Sequence, residues 1–192
     1  PAVPIDTIVF DKSAFDLAGN GEEAAVTWFG HSSLLIKIHG KTFLTDPVLL
    51  GKRASMVSFI GPKRFPFTHH VAILELPKID TVLLSHDHYA HLDYETILSL
   101  KTRVSKFIVP LGVVAHLERR GVPAGNIEEY NWWDKIVYDE QFKLVCTPSR
   151  HFSGRGLTGR NTTLWCCWII EGSKEKIYFG ADSGYSPTFR AI

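Results

Sequence analysis

The sequence predicts an α/β chain whose layers rest on mixed or mostly antiparallel sheets. Three observations carry this. Short apolar, β-branched runs predominate early, helical patterns appear between the later runs, and 45% apolar against 21% charged residues is an ordinary globular composition. A length of 192 residues allows one domain with a substantial buried core.

In chain order, residues 27–28, 33–38 and 42–45 read as short strands, with His39-Gly40 as a tight turn between the last two. Residues 81–85 form a short apolar run of the kind a buried strand shows. Asp93 can cap a helix running to about Leu100. Residues 107–109 are a strand, and 111–120 a helix stopped by Gly121, with basic Arg119 and Arg120 suited to its C-terminal end. Strands at 144–146, 164–170 and 176–179 complete the set. The segment 48–77, with Pro62, Pro66, Pro77, Phe59, Phe65 and Phe67, is long for a structureless loop. It reads equally as a surface excursion packed by its own aromatics or as a substrate-facing lid.

The formal net charge is +1 and no run of Lys or Arg is extended, so no electrostatic reason for nucleic-acid binding exists. Cys146, Cys166 and Cys167 are odd in number, two are adjacent, and none has C-x-x-C spacing. A disulfide framework is not expected, and a reducing compartment is: the cytoplasm, with peripheral membrane association as the alternative. No apolar run approaches the roughly 20 residues of a membrane helix.

The informative stretch is Ser85-His86-Asp87-His88-Tyr89-Ala90-His91-Leu92-Asp93, at the end of the predicted 81–85 strand. His86 and His88, two apart in extended chain, project to one side, and His91 reaches a neighbouring point where the chain turns toward a helix. Neutral imidazoles clustered in this way suit zinc, iron or nickel. The bland alternative is three solvated loop histidines. For His39, His69, His70 and His116, which have no partner at ligand spacing, the bland reading is preferred. They are read as a turn residue, two loop residues and a helix-surface residue. Asp93 is explained by helix capping.

This stretch resembles the H-x-H-x-D-H signature of the metallo-β-lactamase superfamily, with Ala90 where that pattern has Asp. Thr147-Pro148-Ser149-Arg150-His151 resembles the segment bearing the next histidine ligand. Tyr178-Phe179-Gly180-Ala181-Asp182-Ser183-Gly184-Tyr185 resembles the strand ending in the metal-bridging aspartate. Trp28-Phe29-Gly30-His31-Ser32-Ser33 and Leu44-Thr45-Asp46-Pro47 resemble the branch of N-acylphosphatidylethanolamine phospholipase D-like and ascorbate-6-phosphate lactonase-like hydrolases. Phe59-Ile60-Gly61-Pro62-Lys63-Arg64-Phe65 resembles the phospholipase-like side. The resemblance implies a four-layer αββα sandwich, with one metal on His86, His88 and His151 and a second on His91 and a bridging Asp182. It implies zinc, one or two ions, other divalent transition metals being the alternative. Asp182 and His91 would be the catalytic pair. Asp87 falls at a variable position of the motif. Asp46 would hold a ligand histidine in its tautomer, or be only a turn residue before Pro47. His31 would line the site without ligating, or be a core histidine.

Two departures from the family pattern stand out. Alanine at position 90 has no lone pair to give a second metal. An engineered inactivating substitution is the preferred reading of it, a natural pseudoenzyme the alternative. The chain also stops at Ile192, ten residues past Asp182, where the family fold continues with further strands, helices and a last histidine ligand. Residues 1–192 are therefore expected to be the N-terminal portion of a single metallo-β-lactamase-like domain, its remainder a separate chain, a cleaved piece or further residues of the same chain. The expected protein partner is that remainder as a separate chain, or a second copy in a homo-oligomer. The chemistry implied is metal-assisted hydrolysis of a phosphodiester or related ester, lipid-derived in the leading case. A lactonase of a phosphorylated sugar acid and a non-catalytic metal-binding protein are the alternatives.

Overall fold

The computed structural model describes residues 3–20, 23–52 and 63–192. Residues 59–62 of the phospholipase-like segment, and with them Phe59 and Pro62, lie outside the described residues.

A short helix, α1 (Lys12–Leu17), comes first, capped by Asp11, whose carboxylate accepts the Ala14 N–H. The first sheet then assembles in order from β1 (Ala25–Trp28), β2 (Leu34–Ile38), β3 (Lys41–Thr45), β4 (Ile79–Leu83), β5 (Val104–Pro110) and β6 (Ile127–Tyr130). The first three strands pair antiparallel, and β3 to β6 pair parallel. The tight turn at His39-Gly40 is present, both residues having positive φ. The parallel half needs crossovers, supplied in part by α2 (Tyr94–Leu100) and α3 (Val114–Glu118). The second sheet is wholly antiparallel, in spatial order β10 (Lys176–Phe179), β9 (Cys166–Glu171), β8 (Lys143–Pro148), β7 (Lys135–Val137).

Strand alternation explains the layering. On the first sheet Leu35, Leu44, Val82 and Phe107 point toward Phe15, Ile97, Leu100 and Leu117 of the helices. Their neighbours Ile36, Phe43, Leu83 and Ile108 point the other way, onto Leu144, Trp168 and Ile170 of the second sheet and Phe142 just before it. The inner strands β2 to β4 are therefore buried on both faces, which is why they read as largely apolar runs, while the edge strands β1 and β6 are not. Among the described residues the helices α1, α2 and α3 all pack on the first sheet, giving helix, sheet and sheet as successive layers.

Two expectations shift. The helix predicted over 111–120 starts only at Val114, because Gly112 (φ +85°) turns the chain first, its N-terminal neighbour Leu111 still bonding to Tyr130 O. The helix also closes early, at Glu118, and Gly121 (φ +75°) turns the chain just beyond it. Strands β6 and β7 were not predicted at all.

The two sheets are tied together beside the histidine motif. The Trp168 indole N–H donates to Leu84 O at 2.8 Å, and the Cys166 N–H to Ser85 O at 2.9 Å. Buried backbone groups just past β4 thus find partners on β9, which fixes where the following loop departs.

Candidate metal centre

The polar residues of interest all follow the C-terminal ends of strands. Because β3 and β4 run parallel and in register (Thr45 opposite Leu83), the residues after them, Asp46 and Ser85, emerge side by side. Strands β8 and β10 flank β9 antiparallel on either side, so they run in the same direction and deliver His151 and Asp182 to one edge. A bridge between Arg150 and Gly184 holds those two loops together. Loops positioned by a rigid scaffold are where sites are commonly built.

Asp46, wholly buried with φ +35°, organises the interior. Its Oδ1 accepts the Ser85 N–H at 2.7 Å, and its Oδ2 accepts the Ser85 hydroxyl at 2.5 Å and the His91 Nδ1–H at 2.7 Å. With the Ser85 proton committed to Asp46, Ser85 Oγ accepts from His86 Nδ1–H at 2.8 Å. Both histidines are thereby oriented with Nε2 facing away from Asp46. This is the pattern of a carboxylate and hydroxyl fixing tautomers from behind; of the two sequence readings of Asp46, the geometry matches the tautomer-holding one.

The Nε2 edges face two convergent sets of donors. In the first, His86 Nε2 lies 2.9 Å from His88 Nδ1, and His151 Nε2 3.2 Å from the same atom. In the second, His91 Nε2 lies 3.0 Å from Asp182 Oδ2 and 3.1 Å from His31 Nε2. Asp182 Oδ2 is also 3.9 Å from His151 Nε2, so its carboxylate stands between the sets. A tetrahedral site with ~2.0 Å bonds has donors about 3.3 Å apart; both sets fit that spacing. Asp46 with His86 and His91 forms a third convergent group, but the Asp46 oxygens are already engaged as described. Among the described residues, His39, His69, His70 and His116 belong to no such group.

Burial, reinforced by His91, His88 and His151, pushes the His86 pKa far down. Burial lowers His88 and His151 as well. The hydrogen bond from His91 holds Asp182 well below the usual carboxylate range against its partial burial. His86, His88 and His151 are therefore neutral imidazoles beside an ionised carboxylate, the forms that bind a cation, whereas His91 must give up a proton to join them. Burial opposes a charge on His91 too, yet Asp46 and Asp182 together raise its pKa from the ordinary 6.5 to about 9. In the metal-free protein a proton on His91 joins two carboxylates. Its stabilising contribution is complete below about pH 6.5 and disappears as pH rises through about 9, a loss on the order of 3 kcal/mol. Urea unfolding of metal-free protein from pH 7 to 10 should record that decline. A flat profile there would remove the two-carboxylate clamp.

Support for the loop comes from residues that spacing did not reveal. Asp87 is buried and accepts the Gly154 N–H at 2.7 Å. His116, expected on the helix surface, instead lies with Nε2 3.5 Å from Asp87 and Nδ1 2.8 Å from the Tyr94 hydroxyl. Arg155 packs its guanidinium between the rings of Tyr89 and Tyr94 at 3.8 and 4.0 Å and donates to Asp87 O and Leu92 O. Nothing in the sequence around Arg155 marks it. Asp93 caps α2 as expected, and also accepts the Gly51 N–H at 2.8 Å.

Beside the second donor set lies a cavity of about 180 Å³, lined by His31, Arg64, Phe65, Phe67, Tyr89 and Ala90 among others. From the 48–77 segment, Val48, Gly51, Lys63, Arg64, Phe65 and Phe67 line this cavity.

Residues 41–191 match the family described as Beta-lactamase superfamily domain. An uncharacterised protein of Mycobacterium tuberculosis is 45% identical over 175 residues, 91% of this chain and 46% of that protein. N-acyl-phosphatidylethanolamine-hydrolyzing phospholipase D 1 of Caenorhabditis elegans is 35% identical over 168 residues, 83% of this chain and 46% of its own length. Among solved structures, CmlA, a diiron β-hydroxylase from Streptomyces venezuelae, superposes with a TM-score of 0.63 at 25% identity, covering 88% of this chain and 31% of that one. The chain spans about half the length of the curated relatives it matches.

Proposed function

The chain belongs to the β-lactamase superfamily, and on that premise we propose that its site is a metal-dependent hydrolase centre acting on a phosphodiester or related ester, with an N-acylphosphatidylethanolamine-like lipid the first substrate to test. The observation that carries this reading is the convergence of two donor sets on either side of Asp182. The proposed ligands are His86, His88 and His151 for one ion, and His91 with a shared Asp182 for a second. Zinc is the proposed metal. Since CmlA is described as a diiron enzyme, metal analysis should measure iron as well.

When bound, a divalent metal supplies a water acidified from near pKa 16 toward about 7 and an electrophile for the substrate oxygen. The protein's own residues do the rest. Ser85 and Asp46 fix the Nε2 edges of His86 and His91 toward the reacting side. Asp182, held ionised, would accept a hydrogen bond from the attacking water and so orient it. The Arg64 guanidinium, on the cavity wall, meets the charge of a phosphodiester, while Phe65, Phe67 and Tyr89 give its organic part an apolar surface. A protein nucleophile has no candidate here. No serine has a G-x-S-x-G setting, and Cys146, Cys166 and Cys167 are buried, with burial raising the last two thiols.

Ala90 favours a second reading, a protein that binds metal without turnover, because one acidic ligand of the family pattern is absent. A panel of N-acylphosphatidylethanolamine vesicles, bis-p-nitrophenyl phosphate and a phosphorylated lactone decides between them, using zinc-loaded full-length protein and its Ala90→Asp form. Phosphodiester hydrolysis is expected in the variant, at a rate above that on the lactone. A lactone preference would move the assignment to a lactonase. Bound metal with no turnover by either form would leave the binding protein.

A further inference from the structure

We propose that His31 is a ligand of the second metal ion, joining His91 and Asp182 at the position that an acidic residue in place of Ala90 would otherwise fill. The inference rests on the reading that this centre holds metal, and adds to it a donor that the family resemblance places only at the wall.

Geometry comes first. His31 Nε2 is 3.1 Å from His91 Nε2 and 3.8 Å from Asp182 Oδ1, while His91 and Asp182 are 3.0 Å apart. These separations bracket the roughly 3.3 Å expected between donors around a tetrahedral ion. Counting protons gives the second argument. His91 Nδ1–H is committed to Asp46, so its Nε2 meets both His31 and Asp182. One proton on that nitrogen can be given to His31 or to Asp182, but not to both. The neighbour left out keeps its lone pairs aimed into the same space. A single cation satisfies all three at once.

The third argument is placement. His31 sits in a tight turn after β1 with φ +47°, following Gly30 at φ +103°. The Trp28 indole donates to His31 O at 2.9 Å, the Ser33 N–H to Gly30 O at 3.0 Å, and the Thr45 hydroxyl to Ser32 O at 2.8 Å. The backbone is therefore pinned to the first sheet at the end of β3, where Asp46 begins the network behind His91. The side chain, about half exposed, keeps freedom to adjust. His31 and Ala90 line the same cavity, the imidazole coming from the β1–β2 turn. A neutral imidazole in place of a carboxylate has a consequence. It leaves more of the ion's charge unbalanced, and it favours zinc or cobalt over manganese or magnesium, which prefer oxygen ligands.

Cobalt titration of metal-free full-length protein, followed by visible absorption, tests this with a readout independent of turnover. Wild-type protein should take up two equivalents, the second weaker than the first. His31→Ala and His31→Asn, the latter compatible with a left-handed backbone, should each weaken the second at least about tenfold and leave the first within about twofold. Manganese should compete at the second equivalent less well in wild-type protein than in Ala90→Asp. An unchanged second equivalent in both His31 variants, or a wild type that takes up only one, would overturn the ligand role while leaving the three-histidine reading intact. Failure of wild-type protein to bind any cobalt would overturn that reading and this inference together.

Discussion

Replacing His86 and His88 together by alanine should strip the protein of its tightly held metal. His86 is almost wholly buried, with its Nδ1 side engaged by Ser85, so its only free donor faces His88. Loss of an orienting residue behind a metal ligand typically costs about 10–100-fold in affinity, and loss of two ligands should cost more. Dialysed against micromolar zinc, the wild type should retain at least one ion per chain and the double variant less than about a tenth of that. Thermal stability gives a second readout. An ion present at 100 to 1,000 times its dissociation constant stabilises the folded state by about 2.7–4.1 kcal/mol, or roughly 5–15 °C in Tm for a chain of this size. Zinc should raise the Tm of the wild type by that order and leave the variant unmoved. Circular dichroism of both metal-free proteins separates metal loss from unfolding. Equal metal content in the two would remove His86 and His88 from the site.

How much of this could be read beforehand depends on the range of the physics involved. The strand ending at the histidine motif was legible because β4 is buried on both faces and its apolar run is continuous. The i, i+2 spacing of His86 and His88 carries its own geometry, and Asp93 its own capping role. His151 and Asp182, far along the chain, could be placed only by resemblance. Their convergence depends on β8 and β10 both pairing with β9, a long-range fact. Strand β6 escaped because it is half-buried throughout and carries Glu128 and Glu129, residues of low strand propensity. The pairing of His116 with Asp87, and the seat of Arg155 between two tyrosines, depend on contacts across 29 and more residues of sequence. No local pattern encodes them. His31 stands in a legible motif, but its distance from His91 depends on the β1–β2 turn being tied to the end of β3, which spacing alone does not convey.

Ala90→Asp in the full-length protein should increase hydrolysis, and the direction of its effect on stability should reverse with metal. Among the described residues, Asp182 is the carboxylate of the second donor set, Asp46 being committed to orienting His91 from behind. An aspartate introduced at position 90, on the cavity wall that His31 also lines, would add a second negative charge on the side of that set. Without metal, the two carboxylates repel, partly offset by the proton that Asp46 and Asp182 maintain on His91. Metal-free Ala90→Asp should therefore be no more stable than wild type. With zinc, the added carboxylate offsets charge that Asp182 alone leaves unbalanced, and the second ion should bind at least about 10–100-fold more tightly. The three-histidine set, which position 90 does not join, should change little. Turnover of a phosphodiester at limiting zinc should rise with occupancy of the second set, while substrate affinity, proposed to rest on Arg64 and the aromatic wall, should stay near the wild-type value. Parallel metal titration, melting curves with and without zinc, and an assay on bis-p-nitrophenyl phosphate supply the comparison. If the two proteins hydrolyse equally and bind the second ion equally, position 90 holds no working ligand in this centre, and the weakened second site has to be abandoned as an account of the chain.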